Sequence, residues 1–322
     1  MLNPIHLRTL TEAVRARSFA ETARLLGYTT SAVSQQIAML ERAVGAQLFE
    51  RSARSVRPTA VAERMALLSR DALAGLSELE REVQALTRGD TGTLRLASFA
   101  TANARIMASA LTAVVEQRPG VDVLLDEGDP DEVVAGVLDG GRDAGVVFAY
   151  DLDPRAWPEE LVATPLLDEP LVLVTSPAHR LAARGEVSLV ELADERWICT
   201  RGDTAGSTAM ERLCVTAGFT PRITMRSNDY GVVCSLVHRG LGIALAPRLA
   251  VGSGAGLGVL NLIDGDVFRR IVAVHRPSNL NPLLPIVLDA LQARCAAIAQ
   301  RWNENTLDDH LLASSAAVTA SS

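Results

Sequence analysis

The sequence predicts a small all-α module at the N-terminus and an α/β body at the C-terminus, joined by one long helix. Three observations lead to this prediction. Residues 4–44 show the apolar spacing of short helices, residues 59–87 contain neither proline nor a turn cluster, and beyond residue 92 apolar strands alternate with helical stretches. At 322 residues and 48% hydrophobic content, the chain can bury more than one core.

Charge divides the chain in the same way. The net charge is −7, yet residues 1–59 contain eight arginines and four glutamates, a net charge of +4, so the rest of the chain carries −11. A basic module on an acidic body is the asymmetry expected of a DNA-binding unit joined to something else.

The first part begins with three predicted helices. Residues 4–17 form the first. Ser18 is placed to cap the second, and Glu21, three residues later, completes a capping-box pattern. Gly27 ends that helix because glycine adopts the left-handed conformation at low cost. Thr29 is placed to cap the third helix.

The third helix has two unlike faces. An apolar stripe at the 3.6-residue period comprises Val33, Ile37, Leu40 and Val44. The opposite face is polar, small-sided and free of acids, and comprises Ser31, Ser34, Gln35 and Ala38, with Thr30 on its flank at the first turn. A DNA groove lined by phosphates accepts such a surface at close range. The alternative is an ordinary solvated face of a small helical domain.

A short basic hairpin follows. Residues 47–51 and 56–59 are predicted strands, and three arginines lie along the hairpin: Arg51, Arg54 and Arg57. Arginine is favoured in narrow, strongly negative grooves, so these side chains are expected to contact phosphates or a minor groove. A solvated hairpin is the alternative.

The order of these elements resembles the winged helix-turn-helix of LysR-type bacterial transcriptional regulators. The resemblance lies in SFAETA, LGYTTSAVSQQIAMLE, VGAQLFER and RSVRPTA, with S-x-x-I-x-x-L-E starting at Ser34 and G-x-x-L-F-x-R starting at Gly45. Thr30-Ser31 stands where the family often has Gln-Pro, which bears on base preference and not on the fold. We expect base-edge contacts from Thr30, Ser31, Ser34 and Gln35, and backbone or minor-groove contacts from Ser18, Arg51, Arg54 and Thr59.

Residues 59–87 predict a linker helix about 43 Å long. Its apolar residues Leu76, Leu79, Val83 and Leu86 follow the 3-4-3 spacing of a coiled-coil seam. The N-terminal module is too small to cover that stripe, so a second chain is expected, with packing against the C-terminal body as the alternative. In the resembled family this helix pairs two subunits, and dimers commonly pair again, which implies a homodimer or homotetramer.

The body is predicted as parallel α/β sheets. Predicted strands lie at 94–98, 121–126, 144–148, 171–175, 197–200, 222–226, 242–246 and 271–275, and predicted helices near 103–117, 130–139, 207–217, 229–239 and 281–302.

The body also resembles the effector-binding half of the same family, through GTLRL from Gly92, TAGFTPRI from Thr216 and LVHRGLGIALAP from Leu236. The resemblance implies the two-lobed fold of periplasmic binding proteins. The implied domains are a winged helix-turn-helix at 1–58, a linker helix at 59–87, a hinge at 88–93, and an effector-binding domain at 92–302. Lobe one is 92–164 with 269–302, and lobe two is 165–268. The acidic, then Ser/Ala-rich tail at 303–322 is expected to be disordered.

A two-lobed body implies a cleft at strand carboxyl ends, where helix N-termini favour a carboxylate or another anion. We therefore expect an unidentified small-molecule effector, anionic in character, and no other cofactor. Its expected contacts are Ser98, Thr101, Phe148, Thr200, Arg201, Thr204, Ser207 and Asp229. A helix cap is the alternative role for each hydroxyl and for Asp229, and a surface salt bridge for Arg201.

Other classes are less consistent with the sequence. The five histidines are dispersed and no G-x-S-x-G is present, so we expect no enzyme, and the four cysteines lack metal-site spacing. Two alternatives remain: a thiol redox sensor of the same fold using Cys199, which follows a strand near Arg201, and a DNA-binding protein that responds to no small molecule.

No signal region and no apolar run of membrane-spanning length are recognised, so we expect a cytoplasmic protein without membrane contact. Its expected partners are double-stranded promoter DNA, the effector, further copies of itself and RNA polymerase.

Overall fold

The computed structural model describes residues 2–52, 55–88, 92–252, 256–264 and 267–303. Three predicted features lie outside those ranges: Arg54, the hinge residues 89–91 and the tail from residue 304.

The N-terminal module consists of α1 (Pro4–Ala16), α2 (Phe19–Leu26), α3 (Thr30–Val44) and an antiparallel hairpin of β1 (Phe49–Ser52) and β2 (Ser55–Pro58). The predicted caps are confirmed, because Thr29 accepts the Ala32 N–H at 3.2 Å and Gly27 ends α2 with φ 68°. The predicted capping box is wrong. Ser18 accepts the Glu21 N–H at 3.3 Å, but the Glu21 carboxylate pairs with Arg24 at 2.6 Å, a stronger charge-assisted bond.

The hairpin is fixed to α3 by one carboxylate. Glu41 accepts the N–H groups of Leu48 at 2.8 Å and Phe49 at 3.3 Å. The Phe49 ring is fully buried and packs edge-on against Phe19, with centroids 5.2 Å apart. The hairpin therefore holds a set position beside the polar face of α3.

The linker helix α4 (Ala60–Arg88) presents two faces. The predicted seam is exposed, with Leu76, Leu79 and Val83 at 40%, 56% and 50%, while the side chain of Leu86 lies outside the described part. Another face docks on the body: Glu78 accepts from Arg276 at 3.0 Å and from the Leu280 N–H at 3.0 Å. The linker helix therefore uses different faces for its two predicted contacts: the exposed seam is left for a partner chain, and the face with Glu78 contacts the body.

Lobe one is built on β3, β4 and β5 with helices on both faces. Its elements are β3 (Thr93–Ser98), α5 (Ala100–Ala102), a π-helical turn (Asn103–Met107), α6 (Ala108–Gln117), β4 (Asp122–Glu127), α7 (Pro130–Leu138), β5 (Ala144–Tyr150) and the C-terminal α10 (Leu283–Asn303). Lobe two contains β7 (Glu186–Val187), β8 (Arg196–Cys199), α8 (Ala205–Thr216), β9 (Arg222–Arg226), α9 (Tyr230–His238), β10 (Ala244–Pro247) and β11 (Gly258–Leu262).

The strands β6 (Val162–Thr175) and β12 (Phe268–His275) run between the lobes. Residues 162–170 of β6 pair with β12, and residues 171–175 pair with β10 and β11. The predicted strand at 171–175 is therefore only the second half of β6, and the expected lobe boundary after residue 164 falls inside this strand. The sequence does not predict the first half of β6 as a strand, because Pro165 and Pro170 lie in it and proline argues against a central strand.

The prediction of purely parallel sheets is wrong. The main sheet runs β4-β3-β5-β12-β6-β11-β7, with β10 also on β6. β3 pairs in parallel with β4 and β5, but β12 is antiparallel to both β5 and β6. The main sheet is mixed because the chain returns from lobe two through β12, against the direction of its neighbours, whereas β8 and β9 form a separate parallel pair.

Within the described residues, one helical segment, Leu283–Trp302, is long and apolar enough to span a membrane by length and composition. Its buried side chains Leu284, Val287, Leu291 and Cys295 belong to the core of lobe one. Packing in that core accounts for its apolar character.

Candidate nucleic-acid interface and ligand cleft

The polar face of α3 lies at the surface of the N-terminal module. Thr30, Ser31 and Gln35 are exposed and Ser34 is half-buried. Val33, Ile37 and Leu40, on the opposite face, are buried in the module core. Gln36 faces inward and accepts from the Thr9 hydroxyl at 2.6 Å. The structure therefore presents the four predicted side chains together, without an acid among them.

The flanking residues differ in whether their hydrogen-bond donors remain available to DNA. Ser18 accepts the Glu21 N–H, so its own proton is available to a phosphate. Thr59 donates to the Gln47 carbonyl at 3.0 Å, so its proton is already used. Arg57 is exposed on β2, opposite Glu50. Arg54 and the side chain of Arg51 lie outside the described part.

The cleft between the lobes has a volume of about 710 Å³. Four predicted effector residues line it: Thr101, Phe148, Thr200 and Thr204. Phe148 lies inside β5, which extends to Tyr150, two residues beyond the predicted end of that strand. Its ring packs edge-on between Phe99 and Tyr150, with centroid distances of 4.7 and 5.6 Å. One wall of the cleft is therefore aromatic.

The other four predicted effector residues do not line the cleft. Ser98 is buried in β3 and Arg201 is exposed outside the cleft. Ser207 is buried, accepts from Arg226 at 2.7 Å and donates to Glu211 at 3.0 Å. Asp229 caps α9 by accepting the Gly231 N–H at 2.7 Å. For Asp229 the structure favours the alternative role of a helix cap, whereas Ser207 has neither expected role and joins Arg226 to Glu211.

A buried ion pair forms the floor of the cleft. Arg269, 2% exposed, donates to Glu169 through Nε at 2.7 Å and to Thr101 Oγ1 at 2.8 Å. Its guanidinium also lies 4.8 Å and 5.0 Å from the ring centroids of Phe99 and Phe148. Burial is the largest single influence and lowers the pKa of Arg269, but the Glu169 carboxylate together with Tyr150 and Tyr230 raises that pKa overall. Burial raises the pKa of Glu169, against the attraction of Arg269.

Two threonines on the opposite wall have restricted hydrogen-bonding capacity. Thr204 donates to the Arg201 carbonyl at 2.8 Å and caps α8 by accepting the Ser207 N–H. Thr200 Oγ1 lies 2.8 Å from Thr204 Oγ1, so Thr200 is the donor of that pair. Thr200 therefore offers only its lone pairs to a ligand.

Charge on the cleft wall is mostly negative. Among the described residues, the lining acids are Glu127, Asp129, Asp131, Glu132, Asp153 and Asp203, and the lining bases are Arg155 and Arg269. Asp131 pairs with Arg155 at 2.9 Å and Asp153 pairs with Arg212 at 2.8 Å.

Sequence reasoning missed Arg269, Glu169 and Tyr230. The alternation in β12 places Arg269 on the same face as buried Ile271 and Ala273, which is a signal for a buried arginine. Its partner Glu169 comes from the half of β6 hidden by prolines. Tyr230 begins α9, and the sequence predicts the cap of that helix but not the place of its first turn in the cleft.

The cysteines are buried or half-buried and unpaired in the structure. Cys199 and Cys214 lie in the same core of lobe two. Burial raises the pKa of Cys199, and it raises the pKa of Cys214 to about 12. Both thiols are therefore poor nucleophiles near neutral pH.

Two family profiles match the chain. The profile described as bacterial regulatory helix-turn-helix protein, lysR family, matches residues 5–63, and that described as LysR substrate binding domain matches residues 87–296. The HTH-type transcriptional regulator IlvR of Caulobacter vibrioides is 32% identical over 254 residues, which covers 78% of this chain and 84% of IlvR.

Solved structures show the same fold. Full-length OxyR of Pseudomonas aeruginosa matches with a TM-score of 0.61 and 18% identity, covering 91% of this chain and 95% of OxyR. CbnR complexed with its target DNA matches with a TM-score of 0.54 and 21% identity, covering 91% of this chain and 99% of CbnR. At these identities the likeness concerns the fold.

Proposed function

The chain belongs to the LysR family of bacterial transcriptional regulators, and from that premise we propose that a small molecule in its cleft sets its affinity for promoter DNA. The family is one of DNA-binding regulators with an effector-binding domain. The observation that best supports the proposal is the acid-free polar face of α3, on a basic module whose linker helix is docked to the cleft-bearing body.

In the proposed complex, Thr30, Ser31, Ser34 and Gln35 meet base edges in a major groove. Gln35 is exposed and long enough for a bidentate contact, which is the usual way glutamine recognises adenine. Ser18 and the hairpin arginines contact phosphates or the minor groove, and so position the module without specifying sequence. Thr59 contributes by fixing the hairpin to α4, since its hydroxyl proton is used internally.

The effector site comprises Thr101 and Phe148 from lobe one and Thr200 and Thr204 from lobe two. A ligand that bridges these residues favours a closed arrangement of the lobes. Because β5, β6 and β12 meet at the floor of the cleft, closure changes the lobe angle there. An effector alters DNA affinity only by the difference in its affinity for the two arrangements.

The remaining proposals concern oligomeric state, enzymatic activity, cellular location and protein partners. Leu76, Leu79 and Val83 pair with a second copy of α4, and the resulting dimers pair again on promoters with two half-sites. The relatives are transcriptional regulators, and we assign the chain no enzymatic activity, a cytoplasmic location and RNA polymerase as a partner. Thiol sensing through Cys199 is the weaker proposal because burial raises its pKa.

The DNA contact is tested by selecting binding sites from a randomised duplex pool with the full chain. Gln35→Ala is expected to change the base preference at one position, at a cost of about 1–3 kcal/mol for the selected site. Gln117→Ala, an exposed glutamine at the end of α6, is the matched control. An unchanged preference in Gln35→Ala removes that residue from base recognition, and no selectable site at all refutes the function.

The cleft is tested by a thermal-shift screen of metabolites on the full chain. A ligand that binds only the folded state raises stability by RT ln(1 + [L]/Kd). Gly206→Val is expected to abolish the shift, because a Cβ there lies 3.0 Å from Thr200 Oγ1 and 3.3 Å from the Tyr150 hydroxyl. Thr101→Val removes one lining hydroxyl without added bulk and is expected to weaken it. Ligands that stabilise both variants as well as wild type, or that leave DNA affinity unchanged, contradict the proposal.

A further inference from the structure

Resting on the proposed function, we propose that the effector of the cleft is an amino acid, with its carboxylate directed toward the floor and its ammonium toward an acidic rim. This differs from the sequence-based expectation of a simple anion. The inference follows from the positions of donors, acceptors and charges in the cleft.

The inner end of the cleft offers donors. Thr101 Oγ1 accepts from Arg269, so the Thr101 proton remains available to a ligand oxygen. Ala205 and Gly206 line the cleft in the first turn of the twelve-residue helix α8, where N–H groups have no intrahelical partner. A hydroxyl from lobe one and N–H groups from lobe two therefore converge on one acceptor, and a carboxylate has two oxygens to satisfy both.

The cleft offers no comparable binding position for a second carboxylate of the ligand. Arg269 is the only arginine at the floor among the described lining residues, and Glu169, fully buried behind it, already neutralises its charge. The other lining arginine, Arg155, is paired with Asp131 at 2.9 Å. Six acids against two bases leave the wall net negative, so a dianion is repelled where a single inward carboxylate is tolerated.

The outer part of the cleft offers acceptors. Glu127 at the end of β4 and Asp203 in the turn before α8 are exposed lining acids that form no ion pair in the described part of the chain. They come from different lobes. An ammonium is the group that suits both.

The inner, carboxylate-binding end and the outer, ammonium-binding part of the cleft together explain how the ligand controls lobe closure. Glu127 moves with lobe one and Asp203 with lobe two, so an ammonium between them attracts both lobes and favours the closed arrangement. Without a cation, two carboxylates brought toward each other repel, so these same acids oppose closure in the absence of the ligand.

The experiment measures binding of three matched compounds to the full chain by calorimetry and thermal shift: phenylalanine, 3-phenylpropanoate and phenethylamine. The other proteinogenic amino acids are screened in parallel, each with its desamino acid. At least one amino acid is expected to bind saturably, and its desamino acid to bind about tenfold or more weakly, equivalent to about 1.4 kcal/mol.

Glu127→Gln/Asp203→Asn is expected to reduce that preference to about twofold, in part by raising affinity for the desamino acid, because neutralising the two acids removes their repulsion of its carboxylate. The matched control is Glu116→Gln/Asp122→Asn, two exposed acids of lobe one outside the cleft, which is expected to keep the wild-type preference. Gly206→Val is expected to abolish binding of all compounds in the set.

Equal affinity for an amino acid and its desamino acid overturns the inference. So does an unchanged preference in Glu127→Gln/Asp203→Asn, or the absence of binding by every proteinogenic amino acid. Failure of the proposed function has a different signature. In that case an amino acid binds in the cleft, with loss in Gly206→Val, yet leaves the retention of selected DNA unchanged.

Discussion

Replacing Arg269 by methionine tests the ion pair at the floor of the cleft. Methionine keeps an unbranched apolar stem but removes the guanidinium that lies over the Phe99 and Phe148 rings. Glu169, fully buried, then retains only the Leu249 N–H at 2.5 Å as a donor. Removing one member of a buried pair leaves an uncompensated charge, so we expect a loss of about 3–5 kcal/mol in the free energy of unfolding near neutral pH.

The loss is expected to depend on pH in a defined direction. Burial already raises the pKa of Glu169, and removing Arg269 takes away the attraction that opposes this rise. A carboxyl whose folded pKa exceeds its unfolded value of about 4.3 contributes stability that is fully present below that value. The contribution disappears as pH rises through the folded pKa. The deficit of Arg269→Met should therefore be smaller at pH 5.5 than at pH 7.5, changing by at most about 1.4 kcal/mol per pH unit.

The measurement is urea unfolding at both pH values, followed by fluorescence of the three tryptophans. Trp197 and Trp302 report on the two lobes, and Trp157 on the segment before β6. The control is Glu169→Gln/Arg269→Met, which removes both charges and is expected to recover much of the stability and to lose the pH dependence. A deficit that is the same at both pH values, and the same in the single and double variants, refutes the argument from the buried charge.

Three further predictions concern assembly, packing and thiol chemistry. Leu79→Glu, on the exposed seam of the linker helix, is expected to shift the chain to monomers in sedimentation velocity, because a charge at a seam position opposes pairing. Gly242→Ala is expected to cost about 1–3 kcal/mol in thermal unfolding, since a Cβ there lies 2.6 Å from a backbone carbonyl. Peroxide treatment followed by mass mapping is expected to yield no disulfide between Cys199 and Cys214, because burial raises both pKa values.

Each of these has a matched control. Val190→Glu, at an exposed valine of lobe two, should leave the oligomeric state unchanged, and a persistent dimer in Leu79→Glu would count against the seam. Gly75→Ala, with open space around its Cβ in α4, should not destabilise, and a harmless Gly242→Ala would contradict the packing argument. Reversible formation of the disulfide by peroxide would restore the thiol-sensing alternative.

Sequence was sufficient where structure is decided locally. Thr29 and Gly27 act through their own backbone and the next turn, so the bounds of α2 and α3 follow from residue type and spacing. The polar and apolar faces of α3 follow from the helical period. Leu79 likewise lies on an exposed stripe because its spacing places it there.

Sequence was insufficient where a residue's role depends on a partner far along the chain. Arg269 and Glu169 meet only because β12 and β6 pair antiparallel, a register no local pattern contains. Ser207 has the residue type of a ligand contact, but Arg226 from the next strand holds it inside lobe two. Ser98, Arg201 and Asp229 also lie outside the cleft, and Asp229 does so because it forms the local helix cap that was its alternative role.

Because the linker helix is docked on lobe one, it can transmit a rotation of that lobe to the N-terminal module. Arg81 and Glu78 anchor its C-terminal third to Gly140 and Arg276 of lobe one, with the Arg81 Nη1 to Gly140 carbonyl distance at 2.6 Å and the Glu78 to Arg276 distance at 3.0 Å. From that anchorage to Ala60 the helix spans about 30 Å, so a tilt of about 10° moves the far end through about 5 Å. That travel exceeds one base-pair step of a DNA duplex, so a small rotation of one lobe is enough to bring the module out of register with its half-site.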